Sequence, residues 1–213
     1  AQLSAADPAV GELIEEGFVL LAVNDGRLAA QAAASRVGEH RYGKTGALIF
    51  GTGVGAGVVE KDPEYGNVHR TDSRPYEIGH LLMGVKLYTF EDCFSGPGIE
   101  EYTGNQGSPE SIDRGNPVWK GQGRAVGTLA TALGLMGGVE LVVPTGGVGA
   151  GASDKYESHL TNFLSRYRES ANPTQLKFLP EVKLVPREEA AEFELYGAEG
   201  VMRDYLTSAA NVE

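Results

Sequence analysis

The stretch TGALIFGTGVGAGVVE, residues 45–60, decides how this chain is read. An apolar run, Ala47-Leu48-Ile49-Phe50, enters a glycine-rich segment from Gly51 to Gly57, and a shorter run, Val58-Val59, leaves it. Apolar runs on either side of a glycine cluster predict strand, turn and strand. Backbone without side chains lets several N–H groups converge on one anion, and the Thr52 hydroxyl adds a donor. The same pattern fits a hairpin that binds nothing, and the segment alone leaves both readings open.

Upstream, DPAVGELIEE at 7–16 predicts a short helix with Asp7 as cap and Pro8 at its first position. Phe18 to Val23 is an apolar run that predicts a buried strand. An alanine-rich helix is expected from Leu28 to about Glu39. Asn24 and Asp25 then lie between a strand's carboxyl end and a helix, where open α/β sheets place ligands. A plain turn or helix cap at Asn24-Asp25-Gly26 is the competing reading.

Downstream, residues 61–76 are polar and read as a loop delivering Glu77-Ile78-Gly79-His80. Gly79 argues for a turn or strand edge there. Glu77 and His80 suit sugar hydroxyls or a metal, although no further ligands of zinc spacing accompany them and His80 could simply bond a neighbouring loop. Leu81–Leu87 is expected as a strand. Phe90–Tyr102 predicts a helix, an interruption at Ser95-Gly96-Pro97-Gly98, and a second helix, the break offering N–H groups to a phosphate or ribose. Cys93, with no basic neighbour in sequence, reads as core or near-core. Residues 103–118 read as loop with a short turn at 109–113. A helix follows from about Gln122 to Met136, stopped by Gly137-Gly138. Val139–Val143 reads as a strand, and Pro144–Gly151 as a second glycine turn against which a flat nucleoside could lie. Residues 153–170 form an amphipathic helix with Tyr156, Leu160, Phe163, Leu164 and Tyr167 on one side. Phe163 and Tyr167 read as core. A short strand around Val182–Val185 and a helix from Glu188 to Leu206 complete the chain.

The 213 residues fit one large domain or two small ones. Thirty glycines are about twice ordinary usage, and they cluster at turns. A net charge of -11 with no basic run argues against a nucleic-acid partner. One cysteine excludes an internal disulfide framework and a cysteine-rich zinc site. No run reaches the roughly 18 apolar residues of a membrane helix, no signal-peptide pattern opens the chain, and the cytoplasm is the expected compartment.

Taken together, GTGVGAGVV at 51–59, EIGH at 77–80 and VVPTGGV at 142–148 resemble the ROK family of sugar kinases and repressors. EDCFSGPGIE at 91–100 resembles the corresponding segment of bacterial glucokinases, AVNDGRLAAQAA at 22–33 the family's Asn-Asp segment, and LYGAEGVM at 195–202 its closing helix. These motifs cover most of the chain in family order. The resemblance implies an α/β, actin-like (ribonuclease H-like) ATPase domain with a mixed central sheet and flanking helices. It implies Asp25 as catalytic base, Asn24, Glu77, His80 and Glu91 as sugar ligands, and Gly51, Thr52 and Gly53 at the transferred phosphate. Gly96, Gly146 and Gly147 would line the nucleotide. ATP and Mg²⁺ are the implied cofactors and a glucose-like hexose the implied acceptor, with no metal held by the protein's side chains alone.

Two departures from the family stand out. Many members carry a cysteine-rich zinc motif after the EIGH histidine, for which Cys93 alone is insufficient. The family's amino-terminal lobe, with its Asp-x-Gly phosphate motif, is not seen ahead of Asn24-Asp25. On this resemblance residues 1–213 are expected to form a single carboxyl-terminal lobe, with 1–20 a possible remnant of the interlobe region. The isolated chain is then expected to be largely inactive, its partner a separate amino-terminal lobe or a second copy in a homodimer. A non-catalytic sugar-sensing domain of a ROK repressor, and an ATPase or acid kinase of the same superfamily, are the alternatives.

Overall fold

The computed structural model describes residues 23–63, 69–71, 78–83, 88–104 and 108–210. The expected helix at 7–16, all of the expected strand before Val23, and Glu77 lie outside them. Five strands form one mixed sheet: β1 (Lys44–Phe50), β2 (Val54–Lys61), β3 (His69–Thr71), β4 (Leu141–Thr145) and β5 (Glu181–Val182). The order is β3-β2-β1-β4-β5. The pairs β1–β2 and β2–β3 are antiparallel, whereas β4 is parallel to both β1 and β5.

The antiparallel register pairs Phe50 with Val54 and Lys44 with Glu60. The turn is therefore only Gly51-Thr52-Gly53, and Gly55 and Gly57 sit inside β2. The expected turn to Gly57 is too long, because a glycine in a strand costs packing but does not end the ladder. His69–Thr71 corrects the reading of 61–76 as pure loop, since it pairs with β2 through Val59, Glu60 and Lys61. Among the described residues of 81–87 there is no strand, only a bridge between Leu82 and Thr89. β4 continues through Pro144 to Thr145, two residues beyond expectation.

Helices cover both faces. α1 (Asp25–Ala32) continues into a π turn, Ala33–Val37, with Asn24 as N-cap accepting from the Gly26 amide. Its alanines, Ala29, Ala30, Ala32 and Ala33, are completely buried. Such small side chains let α1 lie close between the sheet and the last helix, α8 (Phe193–Ala210). The opposite face carries the main core. There α4 (Val118–Gly137) and α6 (Ser153–Ser170) bury Trp119, Val126, Leu129, Leu133, Tyr156 and Leu160 against Leu48, Phe50, Val54 and Val58. Apolar residues three and four apart on α4 make this one continuous stripe. Full burial of one such leucine stabilises by about 1.5–3 kcal/mol. α4 begins four residues earlier than expected, the buried Trp119 adding a turn. It ends at Gly138, whose φ of +65° suits a residue without Cβ. α6 spans the expected residues.

Shorter helices are α2 (Phe90–Phe94), α3 (Gly96–Thr103), α5 (Gly146–Gly149) and α7 (Pro173–Lys177). The interruption at Ser95 stands where expected. The second glycine turn is corrected: Pro144 and Thr145 belong to β4, and Gly146–Gly149 is helical. Among the described residues no helix is long and apolar enough to cross a membrane.

Candidate functional site

The segments singled out in the sequence converge on the β1–β2 hairpin, and glycines are the joints. A Cβ built on Gly57 would stand 1.8 Å from the Gly26 carbonyl oxygen, so the start of α1 rests directly on β2. A Cβ on Gly79 would stand 2.0 Å from the Val54 carbonyl oxygen, seating the turn Ile78–His80 against the same strand. The Gly96 amide donates to the Gly51 carbonyl at 2.7 Å. Gly146, at φ +81°, would place a Cβ 2.6 Å from the Phe50 carbonyl oxygen. Glu91 on α2 accepts from the Val54 amide at 2.9 Å, with Oε2 only 2.8 Å from where a Gly53 Cβ would be.

Asp25 is exposed at the first position of α1, its carboxylate accepting from the Gly26 amide at 2.7 Å. From the Gly26–Gly57 contact α1 and its π turn run to Gly38, where a Cβ would stand 3.1 Å from Leu141 and 3.2 Å from Tyr42, at the amino ends of β4 and β1 and so away from the turn. Its amino terminus, with Asn24 and Asp25, therefore points toward the turn. Gly55 is the next residue of β2 on that face in that direction. The carboxyl ends of β1 and β4 are adjacent, Ile49 opposite Thr145, and they lead into Gly51 and Gly146. Ligands of open α/β sheets sit at such carboxyl ends.

Gly51, Gly55 and Gly147 differ from the joints. Among the described residues nothing lies within 4 Å of a Cβ built on any of them, and none has a positive φ. Neither close packing nor backbone strain requires glycine there. Gly55 was not a candidate in the sequence; its signal was a glycine inside an apolar strand. The helix break, in contrast, offers fewer donors than expected. Gly96 bonds to Gly51, Gly98 to Ser95 Oγ at 3.2 Å and Ile99 to the Ser95 carbonyl at 2.9 Å, while Pro97 has no N–H. The expectation that these amides are exposed for a phosphate is corrected: the helix cap and the hairpin use them.

A cleft of about 1010 Å³ opens beside the turn, with Thr52 and Glu91 on its wall. Tyr88, Asp92, Glu101 and Tyr102 line it further out, and among the described residues none that lines it is basic. Asn24, Asp25 and Gly147 are not part of this wall. Asp92 closes a capping box with Thr89: its carboxylate accepts from the Thr89 amide at 2.8 Å, and the Thr89 hydroxyl accepts from the Asp92 amide at 3.1 Å. These bonds, aided by the charge of the exposed His80, hold the Asp92 carboxyl below the usual carboxylate range. Cys93 is half-buried on the cleft wall, where burial and then the Asp92 charge push its thiol up. Among the described residues no three His, Cys, Asp or Glu side chains cluster as a metal cage.

This arrangement of mixed sheet, flanking helices and glycine-jointed hairpin is the fold of ROK-type sugar kinases and regulators. The chain is similar to the ROK hexokinase from Thermus thermophilus, with a TM-score of 0.64 and 23% identity over 88% of this chain and 68% of that one. It is similar to a ROK-family glucokinase from Streptomyces griseus, solved with glucose and AMPPNP, with a TM-score of 0.57, 18% identity and 87% and 69% coverage. A ROK-family transcriptional regulator, homolog of the E. coli MLC protein, matches with a TM-score of 0.59, 18% identity and 90% and 56% coverage. The chain thus spans between 56% and 69% of the length of these three structures. No protein-family model matches the sequence, and no curated protein does.

Proposed function

We propose that this chain is the large lobe of a ROK-family sugar kinase of the actin-like ATPase superfamily, which in the intact protein transfers a phosphoryl group from ATP to a hexose. The observation that carries this reading is the set of open glycines. Gly51 and Gly147 lie at the ends of adjacent parallel strands with no structural need to be glycine. A bound phosphate chain and nucleoside would occupy the space that side chains there would fill.

In this reading Asp25 accepts the proton of the attacking hydroxyl, general-base help worth about 10²- to 10⁴-fold. Asn24, Glu77 and His80 hold sugar hydroxyls. Glu91 is already anchored through Oε2 to the hairpin, and among the described residues its Oε1 takes no hydrogen bond, leaving that oxygen for the sugar. The acidic, aromatic cleft beside Thr52 suits a neutral polyhydroxyl molecule. Gly51, Thr52 and Gly53 face the transferred phosphate, and Gly96, Gly146 and Gly147 line the nucleotide, Gly96 through its Cα because its amide is engaged. When bound, Mg²⁺ neutralises charge on the donor's phosphates, which supply many of its ligands.

Hexose-dependent release of ADP, measured with the chain alone and with a separately produced amino-terminal lobe of the family, tests the reading. Activity that needs the added lobe and drops at least a hundredfold in Asp25→Asn supports it. Tight hexose binding without any phosphoryl transfer, with or without the lobe, replaces it by a sugar sensor. ATP hydrolysis indifferent to hexose replaces it by an ATPase.

A further inference from the structure

On the outer side of α4 and α6 lies a groove of about 520 Å³ that shares no residue with the candidate site. It exists because α4 carries two glycines one turn apart. Cβ atoms on Gly123 and Gly127 would stand 2.8 Å from His159 and 2.3 Å from Phe163, so the two helices meet nearly backbone to side chain. Lys120 and Arg124, also one turn apart on α4, form one wall. His159, Asn162 and Arg166 on α6 form the other, and between them runs the stacked pair of Phe163 and Tyr167, ring centroids 6.5 Å apart. Both rings were expected as core rather than as ligand contacts; each is partly exposed here.

The electrostatics are unusual for this protein. The chain carries a net charge of -11, yet among the described residues no acidic one lines the groove. Among the described residues Lys120, Arg124 and Arg166 make no ion pair. By contrast, Arg36, Arg187 and Arg203 are each matched to a carboxylate. Three unmatched cations beside an imidazole, over an aromatic strip, present charge that a protein would otherwise neutralise within itself. Guanidinium groups match phosphate oxygens in paired hydrogen bonds, and the rings offer a surface for a flat or apolar body.

We infer that this groove is a second, non-catalytic binding site for a small anion carrying two or more phosphate groups. Its walls are too short for an extended nucleic acid, and its unmatched cations favour an anion over a neutral ligand. The inference stands on the α4–α6 geometry and does not depend on the kinase reading.

Calorimetric titration of the full chain at about 50 mM salt, with inorganic tripolyphosphate and with ADP as separate probes, tests it. Saturable binding is expected with tripolyphosphate. The double variant Arg124→Gln/Arg166→Gln should weaken it by roughly tenfold or more, and Lys120→Gln by less. Arg168→Gln, outside the groove on the same helix, should leave it unchanged. Raising the salt to about 200 mM should weaken binding by screening. A stronger response to ADP that is also lost in the double variant assigns the aromatic strip to a nucleotide base, whereas equal responses assign the site to the phosphate chain alone. The substituted side chains are exposed, so thermal denaturation of the variants should match the parent. Absence of saturable binding of either probe, binding unchanged in the double variant, or binding only of a single-stranded oligonucleotide overturns the inference.

Discussion

Two regions of this molecule are rich in glycine for opposite reasons. Around α1 the glycines are contacts. Gly26 and Gly57 join α1 to β2, and on its other side Gly197 of α8 would place a Cβ 1.9 Å from the Leu28 carbonyl oxygen. With the buried alanines between them, these positions let three layers approach to backbone distance. At the carboxyl ends of β1 and β4, a Cβ on Gly51 or Gly147 would meet nothing within 4 Å among the described residues. The first region uses glycine to remove internal space and the second leaves space outside. A glycine-rich sequence is therefore no evidence of a ligand until each glycine's surroundings are known.

The largest effect that could break this distinction is at Gly57. Gly57→Ala drives a Cβ into the Gly26 carbonyl, and overpacking against rigid backbone should cost about 3 kcal/mol or more. Chemical denaturation measures it, and a loss under 1 kcal/mol would show that α1 is free to move away. Next is the support of α1 from behind. Gln31 Nε2 donates to Asp204 of α8 at 2.8 Å, both residues being buried. Asp204→Ala removes that acceptor and should cost about 1–3 kcal/mol; a neutral outcome would mean that α8 contributes little to seating α1.

A smaller effect tests the helix that carries Glu91. Thr89→Ala removes the reciprocal cap of α2 and should cost about 1 kcal/mol in thermal or chemical melts. Because folding lowers the Asp92 carboxyl below its ordinary value of 3.8, the contribution of the ionised cap is complete above about pH 4 and is lost as pH falls through the folded value. The Thr89→Ala variant should lose less stability than the parent over that acid range, and identical acid titrations would detach Asp92 from the cap. The smallest stability effect belongs to the open class. Gly147→Ala meets no neighbour and should leave stability unchanged or raise it by about 0.5–1 kcal/mol, read as a rise of a few degrees in Tm. In the proposed function it should nevertheless weaken nucleotide binding by about tenfold or more, because the new methyl group takes the ligand's place. An unchanged nucleotide affinity would place Gly147 outside the site.

Much of the architecture was legible in the chain. The amphipathic helix at 153–170, the break at Ser95 and the stop at Gly138 are local events, set by side-chain period, capping and left-handed backbone. Legibility failed where pairing with a distant strand decided the outcome. β3 lies in a polar stretch because an edge strand can be short and hydrophilic when β2 supplies its hydrogen bonds. Residues 54–57 look like a turn, yet the ladder with Ala47, Leu48, Ile49 and Phe50 makes them strand.

For the site, the sequence by itself, through its pattern of runs and turns, marked Asn24 and Asp25 at a strand's end and the glycines of residues 51–53 and 146–147 at turns, while the family resemblance added Glu91. It determined that the chain folds as an acidic α/β protein with glycine-jointed strands. Only the tertiary structure decided which glycines pack and which stand open, that the Gly96 amide serves the hairpin, and that Lys120, Arg124 and Arg166 face one groove. Packing and exposure depend on residues far apart in sequence, and steric and electrostatic neighbours do not exist until the chain has folded.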